Sequence, residues 1–230
     1  MITDSQVSIG TLPTSAESPP HVSAPEAEYA ARFTNSAARE RFEQRRWLVR
    51  QILATHLDVD PDDLTPAYQC PEHGEGVHGR PGYRLRGEHI PLAISASSYQ
   101  GTVVVLVSGE FTRVGIDITD KYDGAFRTDR EPLPDTAKTF LSFADAEWVL
   151  DAPMQERSER LARVWTIKEA VLKAEGSGLR RDPVSFSVVQ DGELAETLSQ
   201  HGIQDTYIER DTFGPIVTRN GLVISLAAQD

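Results

Sequence analysis

The sequence predicts an α+β fold in two halves, each a helix packed on a small antiparallel sheet. Three observations predict it. Apolar residues recur at helical spacing in two separate blocks, Pro25 to His56 and Ala137 to Glu175. Each block is followed by short β-branched runs punctuated by turn residues. The resulting order of helix, strands, helices, strands suggests a pseudo-duplicated architecture, although no residue-level repeat accompanies it.

Residues 1–25 are rich in Ser, Thr, Pro and Ala without a sustained hydrophobic period, and are expected to form a disordered or loosely attached tail. From Pro25 to His56, Tyr29, Phe33, Phe42, Trp47, Leu48, Ile52 and Leu53 fall at helical spacings, predicting one long helix or two joined near Asn35 to Ser36. Residues 69–89, QCPEHGEGVHGRPGYRLRGEH, read as an irregular, Gly- and Pro-punctuated loop. IPLAISAS, GTVVVLVSGE and TRVGIDIT then predict strands of one small antiparallel sheet. After a polar stretch, residues 137–150 and 156–175 carry helical periodicity, and Gly176-Ser177-Gly178 supplies the stop. VSFSVVQ, QDTYIERD and PIVTRNGLVISLAA predict further strands, with Asn220-Gly221 as a hairpin turn. The expected organisation is tail 1–25, first lobe 26–112 and second lobe 113–230.

Among 230 residues, 23 Lys plus Arg stand against 35 Asp plus Glu, a formal net charge of -12 that argues against a generic nucleic-acid binder. With 39% hydrophobic and 25% charged residues the chain can bury a core. It has no apolar run of membrane-spanning length. The N-terminus lacks the basic start and apolar core of a secretory signal, and a lone Cys70 forms no internal disulfide, so a cytoplasmic location is expected.

The stretch richest in chemistry is WTIKEAVLKAEGSGL at 165–179, preceded by GIDIT at 115–119. On a helix Glu169 and Lys173 share a face, which by itself describes a surface ion pair worth about 0.2–0.5 kcal/mol. Asp117, flanked by Ile116 and Ile118 at the end of an apolar strand, needs a cation or donors to offset desolvation. Asp117 and Glu169 together offer carboxylate oxygens to a hard cation such as Mg²⁺, and Lys173 can neutralise a phosphate or move a proton beside it.

With these motifs the chain resembles the 4'-phosphopantetheinyl transferases, specifically the two-lobed, surfactin-synthetase-activating type. ARF at 31–33, Arg41, WLVR ending at Arg50, GRP at 79–81 and IPLAISAS fall in the family's order, covering about residues 26–228. The resemblance implies a pseudo-twofold two-lobed fold and Mg²⁺-dependent transfer of the phosphopantetheine arm of coenzyme A to a serine of an acyl or peptidyl carrier protein, releasing 3',5'-ADP. It implies catalytic roles for Asp117, Glu169 and Lys173, with Asp117 and Glu169 holding the metal and Thr119 at the position of a third ligand. Lys168 and Lys173 would contact phosphates, and Arg41, Arg46, Arg80, Pro81 and Ser95 match nucleotide- or pyrophosphate-contacting positions. A monomer is implied, with no nucleic-acid or membrane partner. The carrier would meet a basic or apolar patch such as Leu179, Arg180 and Arg181.

The match departs at three places. Ala96 replaces a His that contacts the 3'-phosphate in relatives, Thr119 replaces an acidic ligand, and Glu26 and Tyr29 stand where some relatives carry phosphate-binding Lys. Thr119 is tolerable, but at about 1.5–3 kcal/mol per charged hydrogen bond Ala96 with Glu26 would weaken coenzyme A binding by two or more powers of ten, with Arg39, Arg41, Arg45, Arg46 and Arg50 as the available compensation. The acidic residue of the family's next helix is Glu147 or Asp145. Cys70, His73 and His78 offer three zinc ligands, but their spacing matches no closed structural site, which favours a Gly-rich loop positioning Arg80. A second reading of the whole chain is a repurposed member of the fold, with another reaction or with binding alone.

Overall fold

The computed structural model describes residues 5–12, 22–128, 133–194, 203–206 and 221–229. The chain divides into two compact units that meet in sequence between Thr112 and Arg113.

The first unit contains β1 (Ser5–Thr11), α1 (Ala24–Ala30), α2 (Ser36–Leu57), β2 (Leu64–Pro66), β3 (Tyr68–Cys70), β4 (Gly74–Gly76), β5 (Tyr83–Leu85), β6 (Glu88–His89), β7 (Ala93–Tyr99) and β8 (Thr102–Ser108). The helical block is two helices because Asn35 adopts an extended conformation and its side chain accepts from Ala38 N, starting α2 afresh. Asp58 ends α2 in the left-handed region, at φ 54. β8 is the centre of an antiparallel sheet in the order β1-β8-β7. Gln100 and Gly101, both at positive φ, make the tight turn between β7 and β8. Val103, Val105 and Val107 of β8 join Ile94 of β7 and Val49 and Leu53 of α2 in one apolar core. Each such side chain, fully buried, contributes about 1.5–3 kcal/mol.

Three expectations are corrected here. Ser5–Thr11 belongs to the fold and is not a loose tail, since it pairs along its whole length with β8, Ser5 opposite Ser108 and Thr11 opposite Thr102. Its sequence, SQVSIGT, has too few apolar residues to announce a strand, and β8 provides the edge that holds it. Residues 69–89 are not irregular throughout, because β3 pairs with β4 and β5 pairs with both β2 and β6. The strand GIDIT, finally, does not extend the β7–β8 sheet but belongs to a sheet of the second unit.

That second unit contains β9 (Arg113–Asp120), α3 (Phe143–Leu150), α4 (Met154–Glu175), β10 (Val189–Gln190), β11 (Glu193–Leu194), β12 (Ile203–Thr206) and β13 (Leu222–Gln229). Its main sheet runs β12-β13-β9, antiparallel throughout. The predicted strand VSFSVVQ is reduced to its last two residues, since Pro183–Ser185 forms a 3₁₀ turn instead. Residues 207–220, which carry most of the predicted strand QDTYIERD and the first six residues of PIVTRNGLVISLAA, lie outside the described residues. Leu161, Val164, Ile167 and Val171 of α4 pack with Val223 and Ala227 of β13 in a second core. Gly176 stops α4 at φ 70.

Candidate functional site

Strand alternation and the helical repeat build the site from a few residues. Along β9, Gly115, Asp117 and Thr119 share one face of the strand. That face looks at α4, because a Cβ added to Gly115 would fall 2.8 Å from Ala174 N and would overlap the Ala170 carbonyl. Gly115 therefore lets helix and strand approach so closely that short side chains bridge them. Thr166 of α4 reaches Ser225 of β13 at 2.8 Å, and Ser225 sits opposite Asp117 in the sheet register. One turn further along α4 comes Glu169, and one turn beyond that Lys173.

Lys173 Nζ donates to Asp117 Oδ1 at 2.6 Å and to the Ile116 carbonyl at 3.0 Å. Asp117 is almost fully buried, whereas the Lys173 side chain keeps 28% of its surface exposed. Glu169 is half-buried beside them. Its carboxyl is pushed above the usual range by burial and by the neighbouring Asp117 charge, with Lys173 pulling the other way. Two carboxylates thus face a single ammonium. An environment that resists a second negative charge fits a divalent cation, and Asp117 with Glu169 supplies the oxygen donors that a hard ion requires. Thr119, also buried, sits on the same strand face and offers a hydroxyl.

Lys168 stands elsewhere, and its expected contact with phosphate is corrected. Its side chain is fully buried, and Nζ is held by Asp145 Oδ2 at 2.6 Å, the Phe186 carbonyl at 2.6 Å and the Pro183 carbonyl at 2.7 Å. An ammonium has three donors, so none is left for a ligand. Asp145 is the centre of this arrangement, since it also accepts from Ser142 N and Oγ at the start of α3 and from Ser187 Oγ and Val188 N. Burial works against its ionisation, yet the Lys168 and Ser142 hydrogen bonds and the Lys168 charge hold its carboxyl below the ordinary value. Of the two acidic residues left open in α3, Asp145 is the buried one and Glu147 is exposed.

In the first unit the basic segment of α2 does not form a single phosphate-facing row. Arg50 is buried against Glu26, which also closes the capping box of α1 with Ser23. Glu26 is therefore an internal partner of Arg50 and does not confront a ligand phosphate. Arg46 is buried, lies 3.8 Å over the Tyr68 ring and donates to the Val77 carbonyl at 2.7 Å. Arg39 pairs with Glu43 on the surface. Arg41 is exposed. Arg45, one turn after it, is partly buried, and burial together with the Arg46 charge lowers its guanidinium value.

Arg80 exchanges backbone hydrogen bonds with Gln69 at 2.9 Å in both directions. Gly79 makes this possible, at φ 96 and with Gln69 pressed against the place of a Cβ. Pro81 follows it, partly buried. On β7, Ser95 and Ala96 point to opposite faces, Ala96 towards the α2 core and Ser95, buried, away from it. Beyond the Gly-rich end of α4, Arg180 is exposed, whereas Arg181 pairs with Glu175 and lies 4.2 Å over the Phe186 ring.

In the loop before Arg80, Cys70, His73 and His78 converge, their donor atoms all within 4.8 Å of one another. The Cys70 thiol is held down to about 6, first by the His73 side chain and then by the Glu72 backbone. Sequence spacing named these residues but could not show that the hairpin of β3 and β4 brings them together.

Residues 113–226, the segment that holds Asp117, Glu169 and Lys173, match the family model of the 4'-phosphopantetheinyl transferase superfamily, which assigns this segment to that superfamily. Among curated proteins it is similar to the 4'-phosphopantetheinyl transferase HetI of Nostoc sp. (strain PCC 7120 / SAG 25.82 / UTEX 2576), at 28% identity over 161 residues. The match covers 70% of this chain but only 62% of the length of that relative.

Proposed function

We propose that the chain transfers the 4'-phosphopantetheine arm of coenzyme A to a serine of an acyl or peptidyl carrier protein of a polyketide or nonribosomal peptide synthase, as in the surfactin-synthetase-activating type. The observation that carries this reading is the cluster of Asp117, Glu169 and Lys173, set by α4 and β9 within the segment that matches the superfamily. In the transfer, the serine hydroxyl oxygen bonds to the phosphorus that bears the pantetheine arm. The bond from that phosphorus to the bridging pyrophosphate oxygen breaks, and 3',5'-ADP leaves with the electron pair.

Such a reaction needs alignment and charge neutralisation more than covalent participation by the protein. Asp117 and Glu169, with Thr119 beside them, are the residues that would hold Mg²⁺, which when bound supplies neutralising charge to the pyrophosphate. Lys173 uses two of its donors on Asp117 and Ile116 and presents the third to a phosphate oxygen. Glu169 is the carboxylate that would accept the serine proton. Arg41 and Arg80 are the first-unit cations assigned to the nucleotide phosphates, and Arg180 to the acidic face of the carrier. The reading includes a monomeric protein working in the cytoplasm.

The test is incubation of the protein with coenzyme A, Mg²⁺ and apo carrier proteins, followed by mass spectrometry of the carriers. Addition of the phosphopantetheine arm is expected. Folded protein that modifies none of several carriers, and shows no heat on titration with coenzyme A, would overturn the reading in favour of a repurposed member of the fold. The absence of a His at Ala96 is the observation that favours that second reading.

A further inference from the structure

We propose that Cys70, His73 and His78 form a second metal site, for a borderline or soft divalent ion such as Zn²⁺, with its fourth position open to water or an exogenous ligand. His73 Nδ1 lies 3.3 Å from Cys70 Sγ and 3.3 Å from His78 Nε2. A ring nitrogen has one in-plane position, either a lone pair or an N–H, so it can serve only one of these neighbours by a hydrogen bond. An ion placed between the three atoms serves all of them. With Zn–N near 2.0–2.1 Å and Zn–S near 2.3 Å, a tetrahedral site has N–N edges of about 3.3 Å and N–S edges of about 3.5 Å. Two observed edges match those lengths closely, and the third is within 4.8 Å, a gap that adjustment of the imidazoles closes.

The surroundings hold the ligands in place. Cys70 ends β3 opposite Gly74 of β4, so the hairpin turn delivers His73 back over the thiol. The His78 ring stacks on Tyr29 at 5.9 Å between centroids, and the preceding Val77 carbonyl is fixed by Arg46. Cys70 is buried while His73 is exposed, which leaves one side of the triad open to solvent. A thiolate and two imidazoles select Zn²⁺, Co²⁺ or Cu ions over Mg²⁺. This site is therefore chemically distinct from the carboxylate pair of the second unit.

The test is titration of reduced protein, free of any histidine tag, with Co²⁺ under absorption spectroscopy. One equivalent is expected to give a near-ultraviolet thiolate-to-cobalt charge-transfer band and the visible bands of a four-coordinate ion, both erased by one equivalent of Zn²⁺. Cys70→Ser should abolish the charge-transfer band. His73→Ala, at an exposed position that leaves the fold intact by circular dichroism, should weaken Zn²⁺ at least about tenfold, since even outer-shell changes cost that much. Asp117→Asn should leave the cobalt spectrum unchanged. No charge-transfer band at excess Co²⁺, a band that persists in Cys70→Ser, or an unchanged Zn²⁺ affinity in His73→Ala would overturn the proposal.

Discussion

Two lysines five residues apart on α4 have opposite fates. Lys173 keeps a partly exposed side chain and a spare donor beside Asp117 and Glu169, whereas Lys168 spends all its donors inside the protein. Lys173→Met is therefore expected to lower the rate of carrier modification by about 10²–10³, the usual cost of removing one charge-stabilising donor, with a smaller loss of stability than Lys168→Met because the Lys173–Asp117 pair is partly open to solvent. Glu169→Gln should give a comparable loss. Lys168→Met should instead lower stability, because Asp145 is left buried without its cation, at a cost of about 3–5 kcal/mol. Chemical denaturation read beside the transfer rate separates the two, and a normally stable Lys168→Met protein would refute the structural role given to this residue. The sequence motif contains both lysines and does not tell them apart. Their separation comes from Asp145, which the motif does not include.

At the level of the element, α4 and β9 work as one piece because Gly115 removes the side chain that would hold them apart. Gly115→Ala forces a Cβ against the Ala170 carbonyl and should destabilise the second unit by about 3 kcal/mol or more. A denaturation midpoint equal to that of the parent would show that the helix can shift away. The start of α3 adds a pH dependence. The Asp145 carboxyl is depressed in the folded state, so its contribution is fully present above the unfolded value of about 3.9 and is lost as pH falls through the lower folded value. Asp145→Asn should remove that part of the acid limb as well as lowering stability at neutral pH, measured as unfolding free energy between pH 2 and 7. The helices were legible in the sequence because periodicity and caps are local: Asn35 before α2 and Gly176 after α4 fall where the pattern changes. β1 and the short strands between Leu64 and His89 were not, because their pairing is set by partners distant in sequence.

Over the whole molecule, the net charge of -12 excludes a broad polyanion surface, but it leaves room for small groups of cations. The structure narrows these further than the sequence did. Arg50 is internal, and Arg46 is stacked and buried, so neither belongs to an exposed cationic patch. Arg180→Glu should raise the apparent KM for a carrier protein at low salt while leaving that for coenzyme A unchanged. An unaltered carrier KM would remove this residue from the docking surface. The N-terminal strand is a second property of the molecule as a whole. A chain beginning at residue 13 should melt at lower temperature and scatter light on heating, because losing β1 leaves β8 as an uncovered edge.

The sequence alone determined the α+β class, the α4 motif and the placing of Glu169 and Lys173 on one face of that helix, since each is written in the local pattern of the chain. Only the tertiary structure decided which lysine faces outward, that Glu26 answers Arg50, that Ser5–Thr11 completes a sheet, and that Cys70, His73 and His78 meet. In each case the outcome rests on burial and on long-range partners of polar groups. A buried charge or donor takes whatever partner the packing brings to it, and spacing along the chain does not specify that partner.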